Sequence, residues 1–280
     1  MEDKTIFVPD SLPDPIATVV AVEIAGEPDL GSVTNGRSTE QARILGPLQP
    51  QVTDGSLTGY VLAWQDEFDG DQLDVQKWDY RTDSKMWSTQ LSANVSVGNG
   101  TLRIALKKEK AGGKDYTGGG VISKRTFKYG YYEARFKCPP GKGWHTSFWM
   151  MFHDAAGGTG TKKARQEIDV CEQDSIHSNI YGANLHAWSP NHKAFGPGPI
   201  KTPDLAADLH VWGCEFTPAD VRYFFDGKEV GRRDASVMQH GEQHIWLTSI
   251  ASPLGGTKAV DDTQLPAAAQ FDYVRFYEKK

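Results

Sequence analysis

The chain has 280 residues, with 30 Lys and Arg against 36 Asp and Glu and a formal net charge of −6 at pH 7. The two signs are interspersed, so the charge pattern gives no indication of nucleic-acid binding. No run approaches the ~18 apolar residues of a membrane-spanning helix. The start, MEDKTIFVPDSL, lacks the basic and apolar parts of a signal peptide, so we expect either a cytosolic protein or one whose leader has been removed.

The first 58 residues differ in composition from the rest of the chain. They contain six prolines, and Phe7 is their only aromatic residue before Tyr60. A segment so poor in large apolar groups cannot form its own core. We therefore expect an extended N-terminal arm or linker over 1–58, with one candidate strand at 17–25. The folded domain is expected over 59–280.

From Tyr60 onward, short alternating runs separated by turn signals predict many strands and little helix. Examples are TLRIAL (101–106), YGYYEARFKC (129–138) and FDYVRFY (271–277). In VRYFFDGKEVGR (221–232), Asp226-Gly227 predicts a two-residue hairpin turn. These strands, together with eight tryptophans, indicate an all-β antiparallel sandwich whose inward-curving sheet carries polar and aromatic groups along a cleft.

The three cysteines, Cys138, Cys171 and Cys214, have neither CxxC nor metal-ligand spacing. Free buried thiols are the first expectation, and a bridge between Cys138 and Cys214 is the alternative.

The segment RQEIDVCEQD (165–174) holds three carboxylates, Glu167, Asp169 and Glu172. On one strand, Glu167 and Asp169 share a face while strict alternation would turn Glu172 away from it. One extra residue near Val170–Cys171, a β-bulge, would return Glu172 to the acidic face. Three clustered carboxylates must share protons or hydrogen bonds, which suits glycoside hydrolysis by one ionised and one protonated carboxyl.

Two other interpretations of the acidic segment stay open at this point. It could be a solvated acidic strand without a chemical role. It could also be an oxygen-ligand site for calcium or magnesium, although no Gly-rich Asp/Asn loop accompanies the acids.

Several further segments occur together in the order typical of one enzyme family. They are WQDEFDGDQLDVQKW (64–78), SVGNGTLRIAL (96–106), YGYYEARFKCPPGKGWHTSFWMM (129–151), QEIDVCE (166–172), NLHAW (184–188), HVWGCEFTPADVRYFFDGK (210–228) and FDYVRFYE (271–278). With these segments the chain resembles glycoside hydrolase family 16 over about 60–278. The family includes laminarinases, lichenases, agarases and carrageenases.

This resemblance implies a concanavalin A-like β-jelly-roll sandwich with a concave substrate cleft, and a retaining endo-β-glycanase acting on a polysaccharide. Glu167 matches the nucleophile, Glu172 the general acid/base, and Asp169 the acid that hydrogen-bonds the nucleophile. No cofactor is implied for catalysis. The resemblance also implies a location outside the cytoplasm, and we expect a monomer.

The resemblance further suggests that Trp144 and Trp149 stack on sugar rings, although either could be a core residue. His186 would tune the pKa of Glu172 or bind the sugar, and Asn94 would bond a sugar hydroxyl. His145-Thr146 departs from the laminarinase pattern, in which Pro-Ala follows the first tryptophan. This departure bears on the substrate.

Many family members bind a structural calcium ion on the convex side. The matching positions here are Glu67 and Gly100, through main-chain oxygens, and the Asp272 carboxylate. The alternative is that Asp272 caps or pairs locally.

A neutral β-1,3- or β-1,3/1,4-glucan is the first expectation for the substrate, and a sulfated marine galactan is the second. The second depends on Arg165, two residues before Glu167, which could recognise a sulfate. Arg165 could instead pair with an acidic neighbour and lower the pKa of the nucleophile. A non-catalytic carbohydrate-binding protein on the same fold and a transglycosylase are further alternatives.

Overall fold

The computed structural model describes residues 50–52, 55–151, 166–188 and 191–280. Most of the expected arm, the candidate strand at 17–25 and Arg165 lie outside these ranges. Within them, no helix is long and apolar enough to cross a membrane.

The described part of the chain contains eighteen strands and four short 3₁₀ turns. The strands are β1 (Tyr60–Asp66), β2 (Trp78–Tyr80), β3 (Ser84–Lys85), β4 (Ser88–Gln90), β5 (Val95–Gly98), β6 (Thr101–Leu106), β7 (Tyr116–Ser123), β8 (Gly130–Lys137), β9 (Trp144–Met151), β10 (Gln166–Asp174), β11 (Ile180–Ala187), β12 (Lys193–Ala194), β13 (Gly198–Lys201), β14 (His210–Phe216), β15 (Asp220–Phe225), β16 (Lys228–Asp234), β17 (His244–Ala251) and β18 (Ala267–Lys279). The 3₁₀ turns are Ser92–Asn94, Ala235–Val237, Leu254–Gly256 and Asp262–Gln264.

The strands form two sheets, as the sequence predicts for a sandwich. The back sheet has the order β16-β15-β14-β8-β18-β6-β5, and β1 also pairs with β18. The front sheet has the order β12-β11-β10-β9-β17-β7-β4-β3, with β13 beside β11 and β2 beside β7. The acidic strand β10 therefore lies inside the front sheet, between β9 and β11.

The main core contains apolar side chains from both sheets. Phe148 and Ile168 come from the front sheet, and Phe136 and Trp212 from the back sheet. The rings of Phe136 and Trp212 stack with centroids 3.8 Å apart. Alternation along each front-sheet strand leaves the opposite face for polar and aromatic side chains.

Two local predictions are confirmed. Asp226 and Gly227 join β15 to β16, both with positive φ (45° and 76°), as a two-residue hairpin turn of this hand requires. Cys138, Cys171 and Cys214 are all free and buried, so the bridge between Cys138 and Cys214 is not formed.

The last part of the expected arm packs onto the outer face of the back sheet. Leu57 is 4% exposed and belongs to a small apolar cluster with Tyr60, Tyr131, Phe224 and Tyr277. The Gln51 backbone N–H donates a 2.7 Å hydrogen bond to the buried Glu133 carboxylate. Ordered contacts with the sandwich therefore begin before residue 59.

We expect Leu57→Ala to destabilise the domain, because it removes a buried side chain from this small cluster. The loss should be about 2 kcal/mol or more, which lowers the melting temperature by several degrees in a domain of this size. Leu254→Ala is the matched control, since Leu254 is 41% exposed. Equal melting temperatures for both variants in a thermal scan would contradict the packing of this segment.

Candidate active site

A β-bulge interrupts β10 where the spacing of the acids predicts one. Against β9, Asp169 lies opposite Trp149 and Cys171 opposite Phe148, so Val170 is the extra residue. The ladder with β11 shifts over the same stretch, between Asp169 and Glu172. The predicted bulge near Val170–Cys171 is confirmed.

The bulge brings the three acids onto one face and leaves the apolar residues in the core. Ile168, Val170 and Cys171 are each at most 1% exposed. Asn184 lies opposite Asp169 across the β10–β11 ladder, and its amide donates a hydrogen bond to Glu172 Oε2. This contact places Glu172 on the same face as Asp169.

Glu167 is half-buried and accepts a hydrogen bond from an indole. Trp188 Nε1 donates a 2.9 Å hydrogen bond to Glu167 Oε2. Burial raises the pKa of Glu167 to about 6; the charge of Glu172 adds to this rise, and the indole bond and Lys85 oppose it. Glu167 is therefore mostly ionised at neutral pH.

Asp169 is the most buried of the three acids, at 2% exposed. Burial raises its pKa well above the usual value, and the charges of Glu167 and Glu172 raise it further. A hydrogen bond links Asp169 and Glu167, and it favours the protonated form of Asp169 and the ionised form of Glu167. Any proton that the pair holds is therefore favoured on Asp169 over Glu167.

Glu172 has a different environment, with its side chain 26% exposed. Besides Asn184, it faces His145, whose Nε2 lies 3.7 Å from Glu172 Oε1. His145 Nδ1 is 2.8 Å from Asp174 Oδ1. The two glutamates therefore have separate sets of neighbours, as groups with different protonation roles require.

His186 lies beside Asp169 rather than in a hydrogen bond with Glu172. Its Nε2 is 3.0 Å from Asp169 Oδ2, but the two atoms do not form a hydrogen bond. His186 Nδ1 is 2.8 Å from His192 Nε2. Burial lowers the pKa of His186, against an opposing effect of the Glu172 charge, so the imidazole is neutral at neutral pH.

Glu167, Asp169 and His186 each offer an atom within 4.8 Å of the others, so they could hold a metal ion. An imidazole in this set suits transition metals better than the calcium or magnesium that the acids alone would suggest. The Glu167 and Asp169 carboxyls instead interact with each other as a proton-sharing pair.

Aromatic rings border the acids. Trp149 is half-buried, stacks on Trp246 with centroids 4.6 Å apart, and lies opposite Asp169. Trp188 is 39% exposed and stacks on His192 with centroids 3.9 Å apart. Flat rings beside an acidic cleft can bind the apolar faces of sugars.

Two predicted sugar contacts are wrong in this structure. Trp144 is 1% exposed and packs in an apolar cluster with Leu106, because it lies on the opposite face of β9 from Trp149. Asn94 is 2% exposed, and its amide donates to the main-chain oxygen of Gly118. Neither side chain can reach a sugar in the cleft.

The residues predicted to bind calcium take part in other contacts. Arg135 donates a 2.7 Å hydrogen bond to Asp272 Oδ2, so an ion would have to share that carboxylate with a guanidinium. The Glu67 side chain pairs with Arg275, which leaves its main-chain oxygen out of that contact. Calcium binding stays a prediction, as does the role of Arg165.

Sequence reasoning missed four residues that contact the acids or their neighbours: Trp188, Asn184, His192 and His145. Trp188 and Asn184 stand at alternate positions with His186 in NLHAW, a signal that could have placed all three on one face. His145 appears in the sequence only as a departure from the laminarinase pattern. His192 gives no signal there.

The chain is similar to known glycoside hydrolases. The family model for the family 16 catalytic domain of β-porphyranases A–D matches residues 60–279. A β-glucanase of Rhodothermus marinus is 28% identical, over 78% of this chain and 85% of the relative. β-Porphyranase B of Zobellia galactanivorans is 26% identical, over 58% of this chain and 64% of the relative.

Solved structures match the fold. SCLam, a non-specific endo-β-1,3(4)-glucanase from family GH16, superposes with a TM-score of 0.71 and 25% identity, over 84% of this chain and 95% of the other. LamAcat from Zobellia galactanivorans superposes with a TM-score of 0.69 and 26% identity, over 78% of this chain and 97% of the other. The predicted concanavalin A-like β-jelly-roll sandwich is confirmed.

We expect Trp188→Phe to raise the pKa of Glu167 above about 6, because the indole N–H stabilises the ionised carboxylate. The measurement is a ¹³C NMR titration of the Glu167 side-chain carboxyl. Trp149→Phe is the matched control, since the Trp149 N–H donates to Thr248 instead. An unchanged Glu167 midpoint in Trp188→Phe would contradict the assigned hydrogen bond.

Proposed function

Because the chain belongs to glycoside hydrolase family 16, we propose that it hydrolyses a polysaccharide internally with retention of configuration. Glu167 is the nucleophile and Glu172 the general acid/base in this proposal. The observation that carries it is the bulge at Val170, which brings both glutamates to one face in different environments. Retention requires their carboxyls roughly 5–5.5 Å apart.

In the first step, Glu172 donates its proton to the glycosidic oxygen while ionised Glu167 attacks the anomeric carbon. The bond to the leaving sugar breaks, and a glycosyl-enzyme ester forms on Glu167. The hydrogen bond with Asp169 favours the ionised form of Glu167, both before attack and when Glu167 departs again.

In the second step, Glu172, now ionised, removes a proton from water as the water oxygen attacks the anomeric carbon. The ester bond breaks, Glu167 is released as a carboxylate, and Glu172 regains its proton. The exposed ring of Trp188 and the half-buried ring of Trp149 supply flat surfaces for sugar rings on either side of the acids.

We expect both Glu167→Gln and Glu172→Gln to lower kcat on the polysaccharide by at least about 100-fold. The thermal midpoint should change little, because both residues are only partly buried. Glu278→Gln is the control, an exposed glutamate on the back sheet paired with Arg125. Substantial activity in both active-site variants would remove the assignment of roles.

For the substrate, we propose a β-linked sulfated galactan of the porphyran type. The family model that matches residues 60–279 is the one for β-porphyranases. A keratan-sulfate endo-1,4-β-galactosidase of Sphingobacterium multivorum is also similar, at 28% identity over 79% of this chain and 56% of the relative. Lys85 is exposed, and its positive charge opposes the rise in the pKa of Glu167. This order reverses the expectation from the sequence.

A neutral β-1,3- or β-1,3/1,4-glucan is the second candidate. The β-glucanase of Rhodothermus marinus favours it, as does the glucan endo-1,3-β-glucosidase A1 of Niallia circulans, at 26% identity over 81% of this chain and 39% of the relative.

A reducing-sugar assay over porphyran, desulfated porphyran, agarose, keratan sulfate, laminarin and lichenan separates the two candidates. We expect cleavage of porphyran with a higher KM for its desulfated form, and a KM for porphyran that rises with ionic strength. Cleavage of laminarin or lichenan, with porphyran left intact, would reverse the proposed order. Product analysis at high oligosaccharide concentration distinguishes hydrolysis from glycosyl transfer.

A further inference from the structure

His145 lies on β9, directly opposite Asp174 at the end of the acidic strand. The residue is only 8% exposed. Its two ring nitrogens face two different acids. Nδ1 is 2.8 Å from Asp174 Oδ1, and Nε2 is 3.7 Å from Glu172 Oε1.

The contact with Asp174 determines which nitrogen carries a proton. An ionised carboxylate can only accept hydrogen bonds, so the short contact requires a proton on His145 Nδ1. The ring is therefore oriented by Asp174, and Nε2 is the nitrogen presented to Glu172. At 3.7 Å, a side-chain movement of less than 1 Å would bring Nε2 into hydrogen-bond range of Glu172.

Asp174 is itself held in place. Gly255, with φ of 74°, packs so closely that a Cβ at this position would lie 2.6 Å from Asp174 Cβ. His177, whose Nε2 is 3.1 Å from the Gly255 oxygen, joins the same loop to the strand end. This loop therefore packs directly against Asp174 at the strand end.

We propose that Asp174 and His145 form a positioning pair for the general acid/base, which rests on the proposed role of Glu172. Asp174 fixes the imidazole, and the imidazole fixes the Glu172 carboxyl in the orientation that protonates the leaving sugar oxygen. The arrangement uses a carboxylate to orient a histidine, as hydrolytic triads do. Here the histidine acts on a carboxylic acid.

The back sheet contains a second Asp–His pair, which serves as a control for the position of His145 beside the acids. His210 Nδ1 is 2.8 Å from Asp226 Oδ2. The His210 side chain is 12% exposed, against 10% for His145. The two pairs share their chemistry, and the two histidines are similarly buried, but His210 lies on β14 in the other sheet. A general loss of stability would affect both variants alike.

The test compares two leaving groups in His145→Gln and His210→Gln. The probes are porphyran and the 2,4-dinitrophenyl glycoside of its repeating disaccharide. Laminarin and dinitrophenyl laminaribioside replace them if laminarin is the polysaccharide cleaved. Formation of the glycosyl-enzyme determines kcat/KM, and dinitrophenolate leaves without a proton. Only the polysaccharide therefore needs a correctly placed acid.

We expect His145→Gln to lower kcat/KM on the polysaccharide by about tenfold or more and on the aryl glycoside by less than about twofold. His210→Gln should leave both values unchanged. Equal losses on the two substrates, or no loss on the polysaccharide, would overturn the proposal. If His145→Gln does not fold, Asp174→Asn keeps the imidazole and should show the same split, a larger loss on the polysaccharide than on the aryl glycoside, to a smaller extent. Absence of this split in Asp174→Asn would overturn the proposal as well.

Glu172→Gln separates this inference from the proposed function. It should show the split in its strongest form, with the polysaccharide activity lost and kcat/KM on the aryl glycoside retained. Equal loss on both substrates in Glu172→Gln would contradict the acid/base role itself. A split in Glu172→Gln without one in His145→Gln would contradict only the positioning pair.

Discussion

Repulsion among three carboxylates on one strand is the constraint on which the site depends. Glu167, Asp169 and Glu172 share a face only because Val170 is an extra residue in β10. Without that residue, the alternation of a strand would direct Glu172 into the core beside Ile168. With it, three acids lie together in a partly desolvated cleft, and side chains from the surrounding strands reduce their mutual repulsion.

The three acids have different neighbours, and these differences suit them to different chemical roles. Asp169, the deepest acid, keeps a proton because burial penalises its charge. Glu167 receives the indole N–H of Trp188 and can ionise near neutral pH. Glu172 has an amide and an imidazole as neighbours. One strand thus carries three carboxyls of the same chemistry in three different environments, which is the condition for a nucleophile and an acid side by side.

The sequence predicted the features that depend on spacing along one strand. The 167–169–172 spacing predicts the bulge, and Asp226-Gly227 predicts a hairpin turn; both are present. Features that depend on pairing between distant segments were not predictable in this way. His145 meets Asp174 across 29 residues of sequence, and Trp188 meets Glu167 across 21. Spacing alone could not reveal which side chains face each other.

The incorrect expectation for Trp144 also arises from pairing between strands, which the sequence does not show. Trp144 and Trp149 are five positions apart on β9, so they face opposite sides of the front sheet. Which of them faces the cleft depends on the register of β9 against β10, where Trp149 lies opposite Asp169. The structure also extends the sandwich toward the N-terminus, since Leu57 is buried against the back sheet.

Locating the covalent intermediate tests the role of Glu167 as nucleophile directly. A 2-deoxy-2-fluoro glycosyl fluoride of the cleaved disaccharide slows release of the sugar from the enzyme, and mass spectrometry of the digested protein identifies the labelled residue. We expect one sugar per chain, attached to Glu167 in the peptide that contains QEIDVCE. A label on Glu172 or Asp169, or an active enzyme that accumulates no label at all, would contradict it.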